Sequence, residues 1–213
     1  MNTDSLSEIT DGIRVRLDAK HRAREQALGP CRDVVRLSAN AIRAVHRRDF
    51  DAADKLLEQA RSNLAEVDRA LADHRDVFHA GFVHDAQKEY AEASLTLALI
   101  AGRPIPSPDA LGVMGASYLN GLGETVGELR RHLLDSLRQG DIKHCEESLA
   151  AMSDIYDILV TMDYPEAVTA GLRRTTDAVR GLLERTRGDF TMAYVQRHLE
   201  ERLEDFRRGL SER

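Results

Sequence analysis

The residues most able to do chemistry in this chain are two carboxylates three positions apart. Glu89 and Glu92 stand in the segment Gln87-Lys88-Glu89-Tyr90-Ala91-Glu92-Ala93. On an α-helix, side chains three and four positions apart are neighbours. The apolar stripe here is Ala86, Tyr90, Ala93, Leu97 and Ile100. Glu89 falls on the flank of that stripe, with Glu92 about 60° further round on the same side. Two carboxylates stacked this way repel, and a divalent cation bound by oxygen ligands gives such a pair a use. A solvated helix face with adjacent acids is the alternative reading of the same pattern. Asp157, embedded in Met152-Ser153-Asp154-Ile155-Tyr156-Asp157-Ile158-Leu159, would complete a three-carboxylate metal site if its helix neighbours the first.

Other chemistries are excluded by their missing patterns. Neither Glu89 nor Glu92 has a His three residues on, as a ferritin-like di-metal bundle requires. There is no His-Glu-x-x-His, no phosphate-cradling Gly-x-x-x-x-Gly-Lys and no zinc-type Cys/His spacing. Cys31 and Cys145 are isolated, which suits buried, reduced thiols. His74, His79 and His84 recur every five residues and so fan around a helix rather than line one face. The net charge of −6 argues against a nucleic-acid partner only if charge is evenly spread. All the basic residues except Lys20, Lys55, Lys88 and Lys143 are arginine, whose planar fork suits phosphate. Arginine pairs at Arg47-Arg48, Arg130-Arg131, Arg173-Arg174 and Arg207-Arg208 would form a phosphate track if one concave surface gathers them.

The elements that must position these groups are helices. Ala, Leu, Arg and Glu dominate, aromatics are 5% and Trp is absent. Periodicity predicts an all-α, seven-helix antiparallel bundle forming one domain over residues 1–213. The first helix spans Ser5 to Arg47 with a kink at Gly29-Pro30, and Asp49 caps a second over Asp51 to Ala72. A third runs from His74 to Ala101, and a fourth from Ser107-Pro108 to Gly140 after a proline-rich break. Gly115, Gly121, Gly123 and Gly127 in the fourth predict close approach of another helix or subunit. Asp141 opens the fifth, Tyr164-Pro165 the sixth, and Gly188-Asp189 separates a seventh over Thr191 to Leu210. The polar, acidic N-terminus and the lack of any apolar run near 20 residues predict a cytoplasmic protein without membrane spans.

A set of landmarks runs in order along the chain. They are Ile42 to Arg47, Gln87-x-Glu89-Tyr90-x-Glu92-Ala93, Tyr118-Leu119-x-Gly121-Leu122, and Gly127-Glu128-Leu129-Arg130. Gly140-Asp141, Ile155-Tyr156-Asp157, Tyr164-Pro165 and Glu184-x-Thr186-Arg187-Gly188 follow. Through them the chain resembles the translin and TRAX (translin-associated factor X) family, most of all its archaeal members. That resemblance implies a seven-helix translin-like fold and a homo-oligomer, an octameric shell enclosing RNA. It implies a Mg²⁺-dependent (or Mn²⁺-dependent) endoribonuclease site of the TRAX type, acting on single-stranded RNA. The family's two glutamates and later aspartate map to Glu89, Glu92 and Asp157, as metal ligands and catalytic groups. Glu128 is a candidate acid of the outer sphere. The alternative is a non-catalytic oligomer that binds single-stranded RNA or DNA, as translin-type subunits do. One departure is Val77, where translin's basic region carries arginine.

Overall fold

A computed structural model describes residue 3 and residues 5–211, with side chains as far as residue 208. Its helices are α1 (Leu6–His46), α2 (Phe50–Ala70), α3 (Arg75–Phe78), α4 (Gly81–Ile100), α5 (Pro108–Leu111), α6 (Gly115–Arg138), α7 (Ile142–Val160), α8 (Glu166–Thr169) and α9 (Leu172–Ser211). No strand occurs among the described residues, so the fold is all-α as the periodicity predicts. The described chain divides into two compact units, one ending at Gly121 and the other starting at Leu122, so that the division falls inside α6.

In the first unit α1 packs on both α2 and α4. Val34, Leu37, Ala41, Ile42 and Val45 of α1 recur at three and four and are buried with Ala53, Leu57, Ala60, Leu64 and Val67 of α2. Val83, Ala86, Tyr90, Ala93 and Leu97 complete the core from α4. Alanines at Ala41, Ala53, Ala60, Ala86 and Ala93 keep the helices close. The α1–α2 reversal is a tight one. Arg48 turns left-handed (φ 59°), Asp49 N–H reaches back to Ala44 O at 3.0 Å, and the Asp49 carboxylate accepts from Ala52 N–H at 3.2 Å.

Pro30 lies inside α1 without ending it. The predicted third helix is instead two, the short α3 and the long α4, separated at His79-Ala80, where Ala80 is extended (φ −72°, ψ 148°). Phe78 and Val83 are both buried. In an unbroken helix these two, five residues apart, would point about 140° from one another. The break lets both enter one core.

Likewise α5 stops at Gly112 (φ 69°), so the predicted fourth helix is α5 followed by α6.

The second unit takes its core from Leu122, Val126, Leu129 and Leu133 of α6, Met152, Ile155 and Leu159 of α7, and Leu172, Val179 and Leu183 of α9. Gly140 (φ 76°) ends the α6 region, and Asp141 caps α7 through His144 N–H at 3.2 Å. Gly188 does not end a helix: α9 runs through it, so the predicted sixth and seventh helices are mainly this one element, after the short α8. A helical glycine costs about 1 kcal/mol against alanine, too little to break a helix that proline does not interrupt. Arg130 also grips both sides of Gly188, reaching Thr186 Oγ1 at 2.8 Å and Asp189 at 2.7 Å. No helix among the described residues is long and apolar enough to cross a membrane.

Candidate metal centre

Buried positions on α4 run almost continuously from Tyr90 to Ala98, because neighbours cover this helix on several sides. That puts Glu92 at 9% exposure among core residues, while Glu89, one turn earlier, is half-buried. Lys88 approaches Glu89, its Nζ 3.5 Å from Oε1.

The start of α6 lies on the same stretch of α4. Gln87 Oε1 accepts the Met114 N–H at 2.9 Å, just before α6 begins, and Ser117 Oγ hydrogen-bonds His84 Nδ1 at 2.8 Å. Tyr118 O–H donates to Pro106 O at 2.9 Å and holds the preceding loop.

Gly121 sets the closest approach. A Cβ there would lie 2.7 Å from Lys88 O and 3.0 Å from both the Ala91 Cβ and the Glu92 N. Glycine at this position lets α6 rest on the α4 backbone between the two glutamates. One turn further along α6, Glu124 projects towards them. Glu89, Glu92 and Glu124 each offer a carboxylate oxygen, and these three oxygens lie within 4.8 Å of one another. Octahedral Mg²⁺ coordination, with bonds of about 2.1 Å, sets opposite oxygens about 4.2 Å apart. The three carboxylates therefore need only a small contraction to share one hard cation, and an all-oxygen donor set is what Mg²⁺ or Mn²⁺ prefers.

Two of the residues singled out in the sequence, Glu89 and Glu92, are in this cluster, and the third member is Glu124. The sequence marked only the close approach of the glycine-rich helix; that Glu124, one turn after Gly121, meets the two glutamates is set by the packing. Asp157 sits exposed on α7 in the second unit. Glu128, one turn beyond Glu124, is half-buried, with its Oε2 3.9 Å from Arg131 NH1. Of the three histidines, His84 bonds Ser117, His79 meets the Phe78 ring edge-on, and His74 precedes α3.

On α6 the residues past Glu124 line a groove. Gly127, Arg130, Arg131, Leu134, Asp135 and Arg138 border a cavity of about 520 Å³. Arg131, Asp135 and Arg138 lie along the side of the helix that Glu124 begins, within about 40° of it. The guanidinium groups of Arg131 and Arg138 thus follow one carboxylate of the cluster in a line, while Arg130 turns towards Thr186 and Asp189 of α9. Gly115 and Gly127 have open space around them, whereas a Cβ at Gly123 would meet Thr175 Cγ2 at 2.3 Å.

The described residues have the all-α fold of translin-like proteins, with a carboxylate cluster where α6 meets α4. No protein-family model matches the chain. It is 32% identical to the chain in a solved structure of AfC3PO with duplex RNA, covering 88% of this chain and 97% of that one with a TM-score of 0.79. A crystal structure of AfC3PO gives 31% identity, 88% and 98% coverage, and the same TM-score of 0.79. Apo-NeC3PO shares the fold at 21% identity, with a TM-score of 0.76 over 86% of this chain and 96% of that one. A protein of Methanocaldococcus jannaschii described as uncharacterised is 29% identical over 198 residues, 91% of this chain and 86% of its own length. The chain belongs to the translin/TRAX (C3PO) family.

Proposed function

We propose that this chain is a metal-dependent endoribonuclease of the cytoplasm, cutting single-stranded RNA inside a homo-oligomeric shell, an octamer. The observation that carries this reading is the cluster of Glu89, Glu92 and Glu124, three carboxylates gathered where their mutual repulsion calls for a cation. The similarity to AfC3PO, whose structure is described in complex with duplex RNA, supports RNA as the ligand. The arginines following Glu124 on α6 support it independently, since they offer a phosphate backbone a row of cations.

In this reading Glu89, Glu92 and Glu124 hold Mg²⁺ or Mn²⁺, and Asp157 is a further catalytic carboxylate. A bound divalent ion supplies Lewis acidity, making water a better nucleophile and offsetting charge on the phosphate undergoing attack. The protein's own groups do the rest. A carboxylate of the cluster would accept the proton released as water attacks phosphorus, while the P–O bond to the leaving ribose oxygen breaks and that oxygen takes up a proton from solvent. Arg131 and Arg138 fix the strand by its phosphates and leave its sequence unread. Lys88, beside Glu89, tempers the negative charge of the cluster when no ion is bound.

The direct test is incubation of labelled single-stranded RNA with Mg²⁺ or Mn²⁺, beside a chelator control and a long-duplex control. Cleavage of the single strand that chelator abolishes is the expected result. Salt-dependent RNA binding without any cleavage overturns it in favour of a non-catalytic RNA-binding shell. Light scattering checks the shell, where a native mass equal to the 23.8 kDa chain rejects it.

Two further outcomes follow from the same residues. Mn²⁺ at about 100 times its dissociation constant stabilises the fold by about 2.7 kcal/mol, read as a rise in Tm. Neither Mg²⁺ nor Mn²⁺ shifts the Tm of Glu124→Ala from that of a chelator-treated sample. Arg131→Ala with Arg138→Ala lowers the slope of log affinity against log salt by about 1.4 for a single strand, two contacts at about 0.7 each. An unchanged slope in that double variant removes the groove from the RNA path.

A further inference from the structure

The proline-rich stretch between α4 and α5 closes a second cavity, of about 270 Å³. Asp54, Leu57, Glu58 and Arg61 line it from α2, and Tyr90, Ser94, Leu97 and Ala98 from α4. Both sets are spaced at three and four, so each is one stripe of its helix. The α4 stripe lies roughly opposite Glu89 and Glu92 around the helix, which separates this cavity from the carboxylate cluster. Pro104, Pro106 and Leu111 form the third wall. Proline at 104, 106 and 108 fixes φ at every second residue, so that wall is rigid before any ligand arrives. It is also tied down. Arg103 N–H donates to Ala98 O at 2.8 Å, Arg103 NH1 donates to Asp54 Oδ1 at 2.8 Å, and Tyr118 O–H holds Pro106 O.

The lining narrows the ligand. Leu57, Leu97, Ala98 and Leu111 are buried and give apolar faces. Tyr90 and Ser94, 4% and 8% exposed, supply the polar part of the floor. Ser94 Oγ donates to Tyr90 O at 2.8 Å, which leaves that oxygen as an acceptor. Burial raises the Tyr90 hydroxyl above its ordinary range, so it keeps its proton and can donate. Glu58 and Arg61 are exposed at the mouth, and both act electrostatically on that hydroxyl. Asp54 and Glu58 balance Arg61 and Arg103, so the lining is neutral in sum and favours neither an anion nor a cation. The volume falls short of the roughly 300–1,000 Å³ that takes a drug-sized ligand. A small, neutral ring with donors and acceptors on its edge meets all these conditions. A nucleobase is such a ring, and proteins that take a base out of its stack hold it between apolar side chains with hydrogen bonds to its edge.

We propose that this cavity is a nucleobase subsite, with Glu58 accepting an N–H of the base edge and Arg61 donating to a ring nitrogen or carbonyl. The choice of ligand rests on the RNA reading above. A free nucleoside and a base of a single strand share this chemistry, and the two arms of the test separate them.

The first arm is saturation-transfer NMR of the full-length protein with adenosine, guanosine, cytidine and uridine. Nucleosides carry no phosphate, so the arginines of α6 add nothing to their binding. At least one of the four receives saturation, more strongly on its base protons than on its ribose protons. Glu58→Ala weakens it about tenfold or more, the scale of a hydrogen bond to a charged group. Ala98→Phe fills the cavity and abolishes the contact; the exposed Glu58 variant keeps the test decisive should the buried one fail to fold. Mn²⁺ raises the Tm of Glu58→Ala as it does that of the wild type. In the second arm, Glu58→Ala weakens binding of a single-stranded RNA and leaves binding of its abasic counterpart unchanged. The salt slope is the same for both, because no phosphate contact is lost. A response to nucleosides without one to the strand assigns the cavity to the free nucleoside. If no nucleoside receives saturation, or if Glu58→Ala matches the wild type in both arms, the subsite falls and the RNA reading stands. If the wild type binds no strand at all, the RNA reading falls, and the nucleosides alone decide the cavity.

Discussion

Glu92→Ala removes RNA cleavage, lowering the rate by more than about 100-fold, the scale that changes one layer outside a metal's ligands already reach. Affinity for RNA measured with the metal chelated stays within about twofold, because the phosphates are held by arginines rather than by this carboxylate. Glu89→Ala and Glu124→Ala behave alike, since each supplies one of three oxygens within 4.8 Å. Without metal, each variant trades local contacts, such as that of Lys88 with Glu89, against relief of repulsion within the cluster. Removing one of three neighbouring carboxylates relieves repulsion, most of all at Glu92, where burial reduces screening. With Mn²⁺ the wild type gains Tm and the variants do not. Glu147→Ala is the control, an exposed acid of α7 that lies 3.7 Å from Lys143. Asp157→Ala separates a catalytic from a bystander aspartate: the proposal requires loss of cleavage there too, with the metal-induced rise in Tm largely kept. Full activity in Glu89→Ala or Glu92→Ala sinks the nuclease reading.

Gly121→Ala damages stability and site together, while Gly127→Ala, two turns along the same helix, strengthens the fold. The added methyl at 121 would sit 2.7 Å from a backbone oxygen that cannot rotate away, so α6 must lift from α4. Overpacking of this kind costs about 1–3 kcal/mol. The lift also carries Glu124 away from Glu89 and Glu92, so metal affinity falls with stability. At 127 nothing lies within 4 Å of the new methyl. There the substitution gains the helix preference of alanine over glycine, about 0.5–1 kcal/mol. Chemical denaturation of both variants, with and without Mn²⁺, reads the two signs. A Gly121→Ala protein as stable as the wild type, with undiminished metal binding, would show that α6 does not rest on α4 as described.

The sequence by itself determined the helical class, the order of the long elements and the caps at Asp49, Ser107 and Asp141. These depend on residues three or four positions apart, and a helix makes such neighbours touch whatever surrounds it. It also marked Glu89 and Glu92, because their spacing stacks them on one turn. Helix ends that depend on distant partners were another matter. The break at His79-Ala80 follows from burying both Phe78 and Val83, and the continuity of α9 through Gly188 is braced by Arg130 from another helix. Only the tertiary structure chose Glu124. Nothing within the sequence neighbourhood of Glu124 says which helix it faces; that is decided where the Gly121 backbone meets Lys88, Ala91 and Glu92, across about 30 residues of intervening chain. A metal centre assembled between helices is a property of their packing, because local periodicity sets which face a side chain occupies and packing alone sets what that face meets.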